Sequence, residues 1–378
     1  MEESLTQVQT RVRTRTWWAP VGWYLSSRLV IFATLAALAR MTHRSLQSLF
    51  STWDSRWYLD IAQHGYATHI PHVGPHLLTV TRQTDLGFFP LLPLVIRIVH
   101  AITGLSFVAS GIAATFLTGL SASLALWFMV KERLDGEAAT RAVALMVFSP
   151  AAVVLSLVYS EGLTITFGAF TLWALSRHRW HLAGGLAALA SLSDPVSSAI
   201  IVVCVVAAYR ASRYERDYQA WWAALIAPSG LVLFFSYLWV HAHTPFAWFD
   251  AQRAGWQSGP LGTGVFYSMF RFVTSGFSDV NSAVKSLSTL VVVMLAVEWW
   301  RRRRAIPADW TTQAAATVLF GALSPIVSLS PRLVLRGFAL FAGSAALIPR
   351  RYFERVLMVS ALVMVLLTML STTLAWTP

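Results

Sequence analysis

Residues 11–39, RVRTRTWWAPVGWYLSSRLVIFATLAALA, decide the fold class. Three arginines (Arg11, Arg13, Arg15) precede an apolar run over 17–39, long enough to cross the hydrocarbon core of a bilayer as one helix. Basic residues flanking a first span favour a cytoplasmic amino terminus. The segment lacks the short apolar core and small-residue cleavage site of a secretory signal. Comparable runs recur as far as Leu374. The 378 residues are 56% hydrophobic and 12% charged, with 17 Trp, 22 Phe and a mean hydropathy of +0.58. Soluble domains carry roughly 25% charged residues, so this chain cannot coat a water-facing surface. A single cysteine, Cys204, excludes a disulfide scaffold. The expectation is an all-α integral membrane protein, one polytopic helical bundle over 1–378 in contact with membrane lipid.

Charge sets the topology. The formal charge of +12 would suggest nucleic acid in a soluble protein. Here it marks basic cytoplasmic loops, and no nucleic-acid partner is expected. The clusters are Lys131/Arg133, Arg177/Arg179, Arg210/Arg213/Arg216, Arg301 to Arg304, and Arg350/Arg351/Arg355. With all five inside, segment 1–16 is a cytoplasmic tail, and 41–106 and 243–281 are external loops. External tips fall at 159–162, 193–195 and 328–332. The run 88–103, with Pro90, Pro93, Arg97 and His100, is too short and polar to span and is expected to lie in the outer interface. The count is then about 11 transmembrane helices, within a range of about 10 to 12.

Ionisable groups at membrane depth are expensive and are functional candidates. The outward acids are Asp54, Asp60, Asp85, Glu161, Asp194, Asp250 and Asp279, from segments able to converge on one external cavity. Asp60, Asp250 and Asp279 also read as solvated loop residues. Asp54 lies in Thr52-Trp53-Asp54-Ser55-Arg56-Trp57-Tyr58-Leu59-Asp60-Ile61-Ala62-Gln63-His64-Gly65-Tyr66. As a helix this stretch has a Trp53/Trp57/Ile61 stripe and Gly65 at its end, suited to the membrane interface. Asp54 then either complements the helix dipole or serves chemistry. Glu161 follows Tyr159 and Ser160 inside a long apolar stretch and needs a partner from elsewhere. Arg332 and Arg336 share a helical face and either anchor a helix end or clamp a phosphate. His64, His69, His72 and His76 lack the spacing of a metal site, because Pro71, Gly74 and Pro75 intervene. No nucleotide phosphate loop, dinucleotide fingerprint or serine elbow is present.

The stretch Trp53-Asp54-Ser55-Arg56-Trp57-Tyr58 running on to Ile61-Ala62 and Gly65-Tyr66 resembles the signature of the PIG-V mannosyltransferases, which have the GT-C fold. Phe88-Phe89-Pro90-Leu91-Leu92-Pro93 resembles the next block of that family, with Leu92 in place of a tyrosine. Ser149-Pro150-Ala151 through Tyr159-Ser160-Glu161 is similar to a third block. Ser330-Pro331-Arg332, followed by Phe338 and Phe341, is similar to a fourth. Pro245-Phe246-Ala247-Trp248-Phe249 with Gln252 and Trp256 is similar to a loop of bacterial members. Where the family often carries an arginine-containing stretch, this chain has Ser193-Asp194-Pro195-Val196-Ser197.

The resemblance implies a GT-C-type bundle in a bacterial plasma membrane. It implies transfer of mannose from a polyprenyl-phosphate donor, at the extracytoplasmic face, to a glycolipid or cell-envelope glycan. It implies Asp54 as base, Glu161 positioning sugar or acceptor, and Arg332, then Arg336, on the donor phosphate. Trp53, Arg56, Trp57, Tyr58, Tyr159, Asp194 and Asp85 are implied as substrate contacts, and no cofactor beyond, at most, a divalent metal ion. A lipid phosphate leaves as a stable anion, so this chemistry needs one carboxylate and a cation rather than two opposed carboxylates. The competing classes are a secondary transporter or lipid flippase and a non-catalytic assembly subunit. Transporters concentrate charge at the midplane on broken helices, whereas the acids here gather at outward helix ends.

Overall fold

The computed structural model describes residues 18–70, 83–256, 262–324, 328–373 and 375–378. The tail 1–16, His72 and His76 lie outside the described residues. Among those described, the regular structure is entirely helical.

The first elements are α1 (Ala19–Thr42), α2 (Leu46–Phe50), α3 (Ser55–His64), α4 (Leu91–Thr103) and α5 (Phe107–Arg133). They are followed by α6 (Gly136–Val147), α7 (Glu161–Ser176), α8 (Trp180–Ser191), α9 (Ala199–Arg210), α10 (Trp221–Ile226) and α11 (Ser229–Ala242). The last are α12 (Ala247–Trp256), α13 (Thr263–Ser275), α14 (Val280–Arg301), α15 (Ala308–Leu323), α16 (Pro331–Arg336), α17 (Ala339–Leu347) and α18 (Arg350–Thr372). Local chemistry sets many of the boundaries. The side chains of Ser106, Asp135 and Asp279 accept the first free N–H groups of α5, α6 and α14. Gly65, at φ +86°, closes α3.

Six helical stretches among the described residues are long and apolar enough to cross a membrane: Ala19–Thr42, Phe107–Arg133, Pro195–Glu215, Tyr218–Ala242, Val280–Arg301 and Arg350–Thr372. About eleven were expected. The other apolar segments form shorter helices, such as α6 with 12 residues, α7 with 16 and α8 with 12. They are short because the chain unwinds between them. It does so at 148–160, at 192–194 and, among the described residues before α16, at 328–330, each break carrying Ser or Pro. Irregular backbone at such depth is tolerated only where it is buried in protein. Residues 151–161 are indeed buried throughout.

The bundle has two chemically different ends. At one, ion pairs tie three of the basic clusters together: Arg177 to Glu132 at 2.7 Å, Arg133 to Asp309 at 3.6 Å, and Arg350 to Glu137. Helix α7 runs away from this end for 16 residues, about 24 Å at 1.5 Å per residue. Its opposite tip is Glu161. There α3 and α4 pack together, with Arg97 donating to the carbonyls of Ala62 (2.7 Å) and Ile61 (3.3 Å) at the end of α3. Leu92 and Ile96 of α4 are buried, while Leu94, Ile98 and Ile102 form an exposed apolar stripe. An amphipathic helix with apolar residues also on its outer side suits the lipid interface. Helix α12 covers this corner, with Trp248 and Gln252 both donating to the Gly87 carbonyl.

Candidate active site

Three breaks and one turn deliver five charged side chains to a single point. Asp54 arrives on the turn between α2 and α3. The preceding Trp53 takes a left-handed conformation, φ +56°, uncommon for a bulky residue and held only where the surroundings fix it. Its indole N–H donates to the Ser371 carbonyl at 2.9 Å. The helix therefore begins at Ser55 and not at Trp53, so the expected stripe through Trp53, Trp57 and Ile61 is corrected: Trp53 faces α18. Asp54 occupies the N-cap position of α3, yet its carboxylate caps nothing. It accepts from Arg332 Nη1 at 2.6 Å instead. Asp54 thus stands at the positive end of α3 and also makes an ion pair across the fold.

Glu161 is the first residue of α7 and has no exposed surface. Its Oε1 accepts from Arg332 Nε and from Arg336 Nη2, the latter at 2.9 Å. Asp194 caps the short turn Pro195–Ser198 through Oδ1, which accepts from Val196 N–H at 2.8 Å. Its Oδ2 accepts from Arg336 Nη2 at 2.6 Å. Arg332 and Arg336 stand one turn apart on α16, which starts with Ser330 as cap and Pro331 at its first position. The order is therefore Asp54–Arg332–Glu161–Arg336–Asp194, an alternating chain of charges.

Aromatic and hydroxyl groups fix this chain from beneath. The Arg332 guanidinium lies 4.4 Å from the centre of the Tyr159 ring, a cation–π arrangement that gains strength when desolvated. The Tyr159 hydroxyl accepts the Asp54 backbone N–H at 3.3 Å. Tyr58 and Ser160 share a hydrogen bond at 3.2 Å. Thr164 joins Ser193 and Ser197 at 2.9 Å each, beside the turn that carries Asp194. Exposure falls steeply through the cluster. The Asp54 side chain is 27% exposed and Arg332 11%, whereas Arg336, Asp194 and Glu161 show 6%, 5% and 0%.

The other expected contacts lie apart from this point. Arg56 reaches Gln83 at 3.0 Å and covers the Trp57 ring, which stacks on Phe88. Asp85 is buried, with its carboxylate accepting the Ala67 N–H (3.0 and 3.2 Å) and the Thr84 hydroxyl, so that it ties the end of the 65–67 stretch to the 85–87 turn. Burial pushes its carboxyl above the ordinary range, against the pull of the Ala67 N–H. Asp60 pairs with His64, and Asp279 with Arg271 and Ser282. No three His, Cys, Asp or Glu side chains among the described residues group as metal ligands.

One structural residue escaped the sequence reading. Arg28, in the middle of α1, is fully buried and pairs with no carboxylate among the described residues. It donates to the carbonyls of Ala152 (2.9 Å) and Val147 (3.2 Å) and to Ser156 Oγ (2.7 Å). These bonds hold the unwound stretch that ends in Tyr159, Ser160 and Glu161. A lone arginine inside an apolar run was the available signal.

Comparison with known proteins bears on the family and the fold. The family model for mannosyltransferases (PIG-V) matches residues 8–250. That range holds Asp54, Glu161 and Asp194, and it stops before Arg332 and Arg336. The fold is similar to that of ArnT from Cupriavidus metallidurans bound to undecaprenyl phosphate (TM-score 0.56, 17% identity, 91% of this chain and 63% of that one). It is also similar to the Archaeoglobus fulgidus oligosaccharyltransferase in its apo form (TM-score 0.50, 13% identity, 92% of this chain and 56% of that one). This chain thus spans less than two thirds of either neighbour. No curated protein matches its sequence with significance. The helical architecture is that of GT-C glycosyltransferases, and the chain belongs to the PIG-V mannosyltransferase family.

Proposed function

We propose that this membrane protein transfers mannose from a polyprenyl-phosphate donor to a hydroxyl of a glycolipid or cell-envelope glycan, with inversion, on the extracytoplasmic side of a bacterial plasma membrane. The observation that carries the reading is the Asp54–Arg332 pair at 2.6 Å. It sets a carboxylate and a phosphate-binding cation side by side at the only accessible part of the cluster.

Asp54 takes the proton of the acceptor hydroxyl. The hydroxyl oxygen attacks the anomeric carbon from the face opposite the phosphate. The sugar–phosphate C–O bond breaks, and the polyprenyl phosphate leaves as an anion held by Arg332. Guanidinium suits that task because its donors match phosphate oxygens in a fork. Glu161, fully buried, acts through Arg332 and Arg336 and not by touching the acceptor. Asp194 holds Arg336 in the same way. The undecaprenyl phosphate of the ArnT structure is a ligand of the class proposed for the donor side. Orientation follows from the opposite end, whose basic clusters mark the cytoplasm.

Incubating the protein in membranes with radiolabelled polyprenyl-phosphate mannose and native lipid extract tests the reading. Label is expected in a lipid or glycan product, with none when a nucleotide-linked mannose replaces the donor. Label only from the nucleotide sugar would reject it.

A further inference from the structure

Arg336 has a donor that the chain of five charges does not use. Its Nη2 serves Glu161 and Asp194 at 2.9 and 2.6 Å, while its Nε is buried and has no partner among the described residues. The same side chain lines a small cavity of about 10 Å³. The other polar residues around it are Thr164 of α7, Ser197 of the Pro195–Ser198 turn, and Gln313 and Thr317 of α15. All five are buried. A buried donor without an acceptor carries its full desolvation penalty, which a bound group in this cavity would remove.

The neighbouring hydrogen bonds decide what that group is. The Gln313 amide is engaged at both ends: Nε2 donates to Thr317 Oγ1 and to the Arg336 carbonyl, each at 3.1 Å, and Oε1 accepts the Ala339 N–H. Thr317 therefore accepts from Gln313 and keeps its own proton to give. Thr164, Ser193 and Ser197 form a triangle with sides of 2.9, 2.9 and 3.3 Å, and Ser193 donates to the Ala190 carbonyl. Three protons satisfy that triangle and leave acceptor lone pairs on Thr164 and Ser197. A ligand here must accept from Arg336 and Thr317 and donate to Thr164 and Ser197. A metal cation cannot accept from a guanidinium N–H. An anion would add charge where three carboxylates already face two guanidiniums. The volume and the four polar partners suit one water molecule.

We infer that this cavity binds a single water molecule that accepts from Arg336 Nε and the Thr317 hydroxyl and donates to Thr164 and Ser197. The water ties α16 to the turn that carries Asp194. Arg336 is then held from two sides, by the two carboxylates on Nη2 and by the water on Nε. The site itself is independent of any reaction. Its consequence for transfer rests on the proposed function, because Arg336 fixes Glu161 and Glu161 fixes Arg332 at the donor phosphate.

A density map of the unaltered protein in lipid nanodiscs, fine enough to show other buried waters, tests the site directly. A peak is expected about 3 Å from Arg336 Nε. Thr317→Ser retains the hydroxyl and should retain both the peak and the parent kcat. Thr317→Val retains the shape alone and should lose the peak, with kcat for transfer from polyprenyl-phosphate mannose down about fivefold, the effect of about one hydrogen bond. A map that shows other buried waters and none beside Nε overturns the site, whether or not either variant folds. Parent kcat in a Thr317→Val protein whose map has lost the peak overturns its link to transfer. Unaltered protein that shows the peak but accepts no polyprenyl-phosphate sugar supports the site and counts instead against the functional reading.

Discussion

The two ends of the bundle hold similar ions in opposite surroundings. At the basic end, Arg350 and Glu137 pair with 79% and 50% of their side chains exposed. At the other end, Arg336 pairs with Glu161 at 6% and 0%. The first pair gains little because water screens it and both side chains must be ordered. The second has been desolvated at substantial cost, and removing one member strands its partner. A fold retains such a cluster for specificity or chemistry more than for stability. The same chemical groups are therefore cheap to keep at one end and costly at the other, and it is the costly set that the proposed function uses.

Breaking the buried end should have the largest effect. Arg332→Ala leaves Asp54 and Glu161 without their shared cation. Transfer should fall by about three orders of magnitude or more, and stability by roughly 3–5 kcal/mol. Initial rates and thermal melting in detergent check the two parts. Arg332→Lys should recover the fold but little of the rate, because a point-like ammonium lacks the planar fork whose separate nitrogens reach Glu161 and Asp54. Retained activity in Arg332→Lys would remove the fork from the account.

Gly162→Ala is expected next in size. A Cβ there would lie 2.8 Å from the Thr118 carbonyl carbon and 2.9 Å from the Gly119 nitrogen, and backbone cannot yield as a flexible side chain can. Helix α7 must move away from α5, taking Glu161 with it. A loss of about 1–3 kcal/mol is expected from overpacking, together with a tenfold or greater drop in transfer. A smaller change should come from Tyr159→Phe, which keeps the ring under Arg332 but loses the acceptor for the Asp54 N–H. About a fivefold loss in kcat with little change in the donor KM is expected, since a neutral hydrogen bond contributes about 1 kcal/mol. At the far end of the scale, Arg350→Ala should leave both transfer and melting temperature unchanged within error, an outcome checked in the same assays.

The comparison also explains what could be read from the sequence. The membrane fold follows from apolar runs and basic clusters, which are local and repeated. Asp54, Glu161, Asp194, Arg332 and Arg336 stood out individually because each is a polar residue interrupting an apolar or aromatic stretch. Their order in space was not legible. Asp54 and Arg332 are 278 positions apart, and no local pattern encodes which arginine meets which acid. Helix lengths were not legible either, because hydropathy does not register the breaks at 148–160, where Arg28 holds the Val147 and Ala152 carbonyls, and at 192–194, where the Ser193 hydroxyl donates to the Ala190 carbonyl. Trp53 was assigned to the helix for a related reason, since its left-handed turn depends on the distant Ser371.

The central claim is that Asp54 takes the acceptor proton while Arg332 holds the donor. Asp54→Asn separates the two, because the amide keeps the shape and loses the base. Donor binding and single-turnover transfer, measured on the same folded preparation, test it most directly. Asp54→Asn is expected to bind polyprenyl-phosphate mannose at least as tightly as the parent, with one competitor for Arg332 weakened, and to transfer at least a hundredfold more slowly. Transfer at the parent rate with bound donor would contradict it.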